Sequence, residues 1–565
     1  MGEREAQTGA RATAATPPGS DLAARPRVAC FTPLSPVESG ISYYSEDILP
    51  VLARALDLTV VVDGYAPTHA PDLRAAGVRL RRGREFARDG AFAATIYQMG
   101  NSPAHAYMYE RALTRPGIVV LHDVVLHHLR LWMAVNGGRG ARRAYVDELR
   151  QCYGAAGGEL ARAVLRGQTP ATLFDYPLVE LLLASAQAVI VHNAASAERV
   201  RALHAGVRVR VVPMGVPLPP LPPRDEARAR LGLAPGAFAV ISHGHVNPYK
   251  RLDVALRAFH RLADEYQDAR FLIAGNVAPG LGPAIDRQIG YLGLGGRVRR
   301  LGFIPPATVA DLLAAADCCI NLRYPSAGET SASLLRIMGA GVPVLVSDAG
   351  SFRELPPSCA IQVPVGPIEE ALLAEYLLTL ARDEALRVGL GAAAHAFVAA
   401  EHSLERSAVG YLATLGDVLG RELTLPDGQA RVERPATVGA VPPEPPRQRS
   451  RYFPLASRRN RPAAAHVSPD EATIEAPIGA ISADPLLDGV ADALAELHLA
   501  GHEPLLRTVA REVASLRGNP RRGGPHGGLW RLRAGLRGGL RGGLRRLRTG
   551  LRGGWRARLK RLGQR

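Results

Sequence analysis

Cysteine is scarce in this chain: five in 565 residues, at positions 30, 152, 318, 319 and 359, with no Cys-x-x-Cys pair. That spacing supports neither a disulfide framework nor a thiolate zinc site, and it points to a reducing cytosol. Cys318 and Cys319 are adjacent inside an apolar run and read as core residues. No stretch approaches about 18 consecutive uncharged apolar residues, so no membrane-spanning helix is expected. The first 26 residues, MGEREAQTGARATAATPPGSDLAARP, lack the apolar region of a secretory signal. They are polar and rich in Ala, Thr and Pro, and read as a disordered lead-in (1–26). The Met-Gly start does not fit N-myristoylation, because residue 6 is Ala where that signal needs Ser or Thr.

Acidic residues are missing from one end. Of the net charge of +17, +15 lies between Gly518 and Arg565 (14 Arg, 1 Lys, no Asp or Glu), which leaves +2 for the preceding 517 residues. The body is nearly neutral and the basic object is the tail (518–565). Within 529–563, LWRLRAGLRGGLRGGLRRLRTGLRGGWRARLKRLG, Leu and Trp recur every three or four positions, which is the helical rhythm. Its many glycines each cost roughly 1 kcal/mol in a helix, so the segment is expected to order only on an anionic membrane surface, through arginine attraction and Leu/Trp insertion. A solvated or nucleic-acid-binding arm is the competing reading, and such an arm needs no Leu spacing.

What is present is alternation of short β-branched runs with helix-sized segments. RVACFTPL (27–34), DLTVVVDG (57–64), ATIYQMGNS, GIVVLHD, QAVIVHN and VRVRVVPMGV read as strands. SEDILPVLARAL (45–56) and a region from about 140 to 185 read as helix. A Pro-rich hinge, PMGVPLPPLPPRDE (213–226), interrupts the chain. The alternation then restarts with FAVISHGH, RLDVALRAFHRLADEY, RFLIAGN, RVRRLGFIP and TVADLLAAADCCINL, and a last helix falls near 383–400. The pattern predicts two Rossmann-like α/β domains with parallel sheets, 27–213 and 214–420, facing a ligand cleft. A Pro-rich linker (421–480) and a helical segment (481–517) follow.

Two stretches carry chemistry. In SHGHVNPYKR (242–251) a strand enters a loop at Gly244, and Lys250 precedes a helix. Backbone amides and a lysine in that arrangement suit a diphosphate, although Lys250 and Arg251 equally suit a solvated surface. In PSAGETSASLLRIMGAGVPVLVSD (325–348), Thr330 and Ser331 can cap a helix over about 331–339. The free amides and positive dipole end there, with Ser333, would face a phosphate. Glu329, one step earlier, can accept from sugar hydroxyls or simply complement the helix dipole. HDVVLHHL offers His122, His127 and His128 without a carboxylate or cysteine at ligand spacing, so a metal centre is not expected.

In this order the segments GHVNPYKRLDVALRAF, FLIAGN, LGFIP and LLAAADCCINLRYPSAGETSASLLRIMGAGVPVLVSDAGSF resemble the C-terminal half of the family 4 retaining glycosyltransferases of GT-B fold. The first half agrees: SPVESGISYYSEDILPVLARALDLTVVVD is similar to the family's Gly loop and first helix, and VVLHDVVLHHL to its acceptor-side His segment. The resemblance covers roughly 27–420, about 70% of the chain. It implies that Gly40 and Ile41 lie in the loop approaching the donor phosphates or the acceptor. It also implies that His122 faces the donor sugar with Asp123 beside it, that Lys250 meets the diphosphate, and that Glu329 is the first glutamate of Glu-x7-Glu. Two positions depart from the pattern. His245 stands where many members have arginine. Arg336 takes the place of the second glutamate, which normally accepts from both ribose hydroxyls, whereas arginine only donates.

The expected activity is transfer of a hexose, with retention, from a UDP-, GDP- or ADP-sugar to a glycan or lipid-linked acceptor. No resident cofactor or metal is expected, and no Asp-x-Asp is present. The expected location is cytoplasmic, with the tail peripheral on the inner membrane face. A non-catalytic sugar-binding or scaffold protein of the same fold is the alternative, and a sugar-nucleotide epimerase fits the His122 and Glu329 segments less well.

Overall fold

The computed structural model describes residues 25–426, apart from 84, 87–90 and 169–170. The lead-in, almost all of the sequence-read linker, the 481–517 segment and the basic tail lie outside the described residues.

The first sheet holds β1 (Arg27–Phe31), β2 (Asp57–Val62), β3 (Arg79–Arg82), β4 (Ala94–Met99), β5 (Ile118–Leu121), β6 (Ala188–Val191) and β7 (Val209–Val211), in the order β3-β2-β1-β4-β5-β6-β7. The second holds β8 (Ala239–His243), β9 (Arg270–Ala274), β10 (Val298–Gly302), β11 (Cys318–Asn321), β12 (Val344–Ser347) and β13 (Ile361–Val363), in the order β10-β9-β8-β11-β12-β13. Every pairing is parallel. Helices cover both faces, which is why the strands read as continuous apolar runs. In β1, Val28 and Cys30 enter one buried cluster while Ala29 and Phe31 enter the other, the period-two alternation of a strand. Cys318 and Cys319 are fully buried in β11 and divide between the two faces of the second sheet.

Both sheets reverse their strand order beside the first strand, between β1 and β4 and between β8 and β11. Ligands bind parallel sheets at the strand C-termini beside such a switch point. The loops leaving β1, β5, β8 and β11 are those that carry the residues singled out in the sequence.

The helix expected from residue 45 begins earlier, at Gly40, and runs to Ala53. Ser39 caps it by accepting from the Ser42 amide at 3.0 Å, a local bond that apolar spacing does not report. The Pro-rich segment crosses from the first sheet to the second, and the chain crosses back near residue 402. The two crossings lie side by side: the Val216 amide donates to the His402 carbonyl and His402 Nδ1 to the Met214 carbonyl, both at 2.9 Å. A Cβ on Gly215 would lie 2.7 Å from the Ser403 carbonyl oxygen, so only glycine lets the two backbones approach. After the return, the Leu404–Leu419 helix packs on the first sheet, where Asp417 pairs with Arg210 of β7 at 2.5 Å.

Candidate active site

The loop after β8 and the start of the Ala332–Gly339 helix converge. Gly244 has φ +110°, and a Cβ there would sit 3.3 Å from Ser333 Oγ and 3.4 Å from Lys250 Nζ. Glycine thus leaves a small cradle lined by a lysine, two serine hydroxyls (Ser331 and Ser333, 3.1 Å apart) and the helix N-terminus. Ser331 is the N-cap, accepting from the Leu334 amide at 3.3 Å. Thr330 is not part of the cap, in contrast to the sequence reading. Its hydroxyl accepts from Asn193 Nδ2 at 3.0 Å, because the loop before the helix is docked on the first domain.

Lys250 Nζ is nearly enclosed, with only the His243 carbonyl (3.4 Å) and Asn321 Oδ1 (3.5 Å) within reach. Burial, and then the positive charge of Arg323, lower its pKa to about 7. Neutral His243 beside it is held at about 4 by burial and by the Lys250 and Arg336 charges. His245 is exposed on the same loop. Its pKa is lowered by partial burial and Lys250, so it adds little positive charge near neutral pH.

Glu329 is buried, and its carboxylate is already engaged. One oxygen accepts from the Arg323 guanidinium, and the other from Ser326 Oγ (3.1 Å) and the Ala327 amide (2.7 Å). A carboxylate has about four acceptor positions, so one remains for a sugar hydroxyl. Asp123 lies in the field of this pair: burial first, then the Glu329 charge, raise its carboxyl to about 7, while the Asn101 amide (2.7 Å) and Arg323 oppose the shift. Arg323 is a site residue that the sequence reading missed. The available signal was an arginine ending the otherwise apolar run CCINLR, six residues before Glu329.

His122 is brought next to Asp123 by the chain, but its ring turns into a buried polar cluster. Nε2 lies 2.7 Å from Gln98 Oε1, and the ring packs on His192 (4.7 Å between centroids) and Tyr44 (5.3 Å). His127 and His128 point elsewhere, to Tyr176 and Tyr145 and to Asn101, and among the described residues no group of three His, Cys, Asp or Glu is placed to hold a metal ion. Gly40 opens the first helix with free space around its α-carbon, and the Ile41 side chain reaches back to Gly100, beside Asp123. Arg336 forms an ion pair with Asp47 of that first helix, 289 residues away in sequence. Burial raises the Asp47 carboxyl and Arg336 partly offsets the shift.

The two sheet domains meet around this site. The Val124 amide donates to the Ala327 carbonyl (2.7 Å), while Ser196 Oγ (2.6 Å) and Asn193 Nδ2 (2.9 Å) donate to the Gly328 carbonyl. Glu354 of the second domain accepts from the amides of Ala194 and Ala195 at 2.9 and 2.7 Å, in the first turn of the Ala194–Leu203 helix. A carboxylate there complements the helix dipole across the interface.

Two doubly wound parallel sheets joined by two crossings, with an anion cradle on the second, form the two-domain arrangement of the GT-B fold. Residues 237–383, which include the cradle and Glu329, match the family described as "Glycosyl transferases group 1". The chain is 33% identical over 228 residues to D-inositol 3-phosphate glycosyltransferase of Nocardia farcinica, covering 38% of this chain and 50% of that protein. It is 28% identical over 309 residues to the protein of the same name from Streptomyces avermitilis, covering 52% and 64%. The chain thus spans about half the length of the first of these relatives. In fold it is similar to sucrose-phosphate synthase from Thermosynechococcus elongatus, with a TM-score of 0.51 and 15% identity over 70% of this chain and 99% of that one.

Proposed function

We propose that the protein transfers a hexose from a nucleoside diphosphate sugar (UDP-, GDP- or ADP-linked) to a glycan or lipid-linked acceptor, with retention at the anomeric carbon. The observation that carries this reading is the cradle of Gly244, Lys250, Ser331 and Ser333 at a helix N-terminus, opening beside Glu329 and Asp123. As the glycosidic bond to the diphosphate breaks, negative charge develops on the leaving oxygens. Helix amides and an ammonium already in place stabilise it without reorganisation. Lys250 sits close to neutral when the cradle is empty, and a diphosphate restores its charge. Glu329, fixed by Arg323, presents one acceptor position to the sugar. The acceptor hydroxyl enters from the first domain, past Asp123. The stereochemistry is what the family resemblance implies. No resident cofactor or metal is part of the proposal. The protein would act in the cytoplasm, with the basic tail resting on the anionic inner membrane face.

Release of nucleoside diphosphate by the full chain, across UDP-, GDP- and ADP-sugars, tests this. One donor should be hydrolysed slowly, and Glu329→Ala should lose that turnover while still binding nucleotide. A second reading, a non-catalytic sugar-nucleotide binder, draws on the Arg336–Asp47 pair, which puts a guanidinium where the family has a carboxylate. It predicts binding without turnover of any donor.

A further inference from the structure

His122 is the terminus of a buried hydrogen-bond chain that begins on the last described helix. Tyr44 OH, on the Gly40–Ala53 helix, lies 3.1 Å from both Ser407 Oγ and Tyr411 OH of the Leu404–Leu419 helix. Tyr411 OH accepts from Gln98 Nε2 at 3.2 Å, and its own proton lies 3.4 Å, oxygen to oxygen, from Gln98 Oε1. Gln98 Oε1 lies 2.7 Å from His122 Nε2. Tyr44, Gln98, His122, Ser407 and Tyr411 are all at most 5% exposed.

This chain has a direction. An amide oxygen accepts and never donates, so His122 Nε2 carries the proton. Tyr411 OH holds both ends of the Gln98 amide, and Oε1 is the end that faces the ring. Burial and the neighbouring His192 and His105 disfavour a second proton. His122 Nδ1 is therefore an unprotonated acceptor, and it has no partner within the described protein.

We propose that Gln98, anchored by Tyr411 and Tyr44, is the positioning residue for His122: it holds the ring as the Nε2–H tautomer with Nδ1 as an acceptor. This makes the Leu404–Leu419 helix, the last element of the described chain, part of the active site. The inference rests on the family resemblance, which implies that His122 faces the donor sugar, and deepens it. An unpaired acceptor on a fixed ring accepts from a hydroxyl at one place only, whereas a ring free to change tautomer does so part of the time.

The test uses the full-length protein with ¹⁵N-labelled histidine, the His122 signals being assigned by their loss in His122→Gln. Wild type should show a single neutral tautomer with the proton on Nε2, without any substrate present. Gln98→Met, which removes the acceptor at similar volume, should give mixed tautomers and lower kcat by roughly tenfold or more, with donor KM changed less than about threefold. Gln98→Glu, which keeps an acceptor oxygen at the same place, should restore the Nε2–H tautomer. Tyr411→Phe, which leaves the core packed, should give mixed tautomers as well. An Nδ1–H ring in wild type, or a tautomer and kcat unmoved by both Gln98→Met and Tyr411→Phe, overturns the proposal. The tautomer is read without turnover, so a failure of the transferase reading leaves this result standing on its own.

Discussion

Lys250 and Asp123 sit within one electrostatic neighbourhood, and each is held near neutrality by the same burial that builds the site. For Lys250 the consequence is proton uptake on binding. Its empty-state pKa of about 7 rises when a diphosphate arrives, so a proton enters with the donor above pH 7. Affinity should then fall as pH climbs from 7 towards the bound-state value. Calorimetry of nucleoside diphosphate binding in two buffers of different ionisation enthalpy should show uptake approaching one proton near pH 8, absent in Lys250→Met. For Asp123 the sign is opposite in the unliganded protein. Its folded pKa lies above the ordinary 3.8, so the folded state keeps the proton between about pH 4 and 7 and loses stability as pH rises through that window. Asp123→Asn should melt with the wild type at pH 3.5 and above it at pH 8, by a few degrees for about 1 kcal/mol.

At this scale the sequence displayed loop residues better than partners. Lys250, Glu329 and Ser331 announce themselves because each stands within three residues of a glycine or proline, next to an apolar run. The use of Thr330, the pairing of Arg336 with Asp47 and the Gln98–Tyr411 link were not readable. Each joins segments more than a hundred residues apart, and local spacing carries no information about such distances.

Among the elements, the Ala194–Leu203 helix bears a cap from outside its own domain. Two of its first-turn amides donate to Glu354 of the other domain, in addition to Asn193, which caps it locally by accepting from the Ser196 amide at 2.8 Å. Glu354→Ala should therefore cost about 1 kcal/mol in denaturant unfolding. It should also raise the donor KM, because the lost bonds hold the Gly328 loop side of the cleft. Asn193→Ala should cost a similar amount. Most strands were legible as β-branched runs between turn residues. β3 and β13 were not: β3 is RLRR, an exposed edge strand whose charges protect it from further pairing, and β13 is three residues of mixed polarity. The start of the first helix was missed by five residues because its cap is a serine–amide bond and not an apolar position.

Over the whole molecule, burial of neutral histidines sets acid stability. His105, His127, His192 and His243 each have a pKa of about 4 in the folded chain against 6.5 when free. The unfolded chain binds more protons between those values, so the stability present above pH 6.5 is lost as pH falls towards 4. Unfolding followed from pH 7.5 to 4.5 should show a fall in midpoint, steepest below pH 6, and His105→Gln should make that fall shallower. The division into two α/β halves was legible from the restart of alternation after the Pro-rich segment. The return of the chain to the first sheet was not, since helical periodicity identifies an apolar face without naming what covers it.

That return has a practical consequence at the hinge. The Pro-rich crossing is exposed at 218–220, but Met214–Val216 is sewn to the second crossing at His402 by hydrogen bonds running both ways. A protease that cuts once within 218–220 leaves two polypeptides that still share a buried seam, because the Leu404–Leu419 helix of the C-terminal piece stays packed on the first sheet. The nicked protein should elute as one particle and come apart only in denaturant.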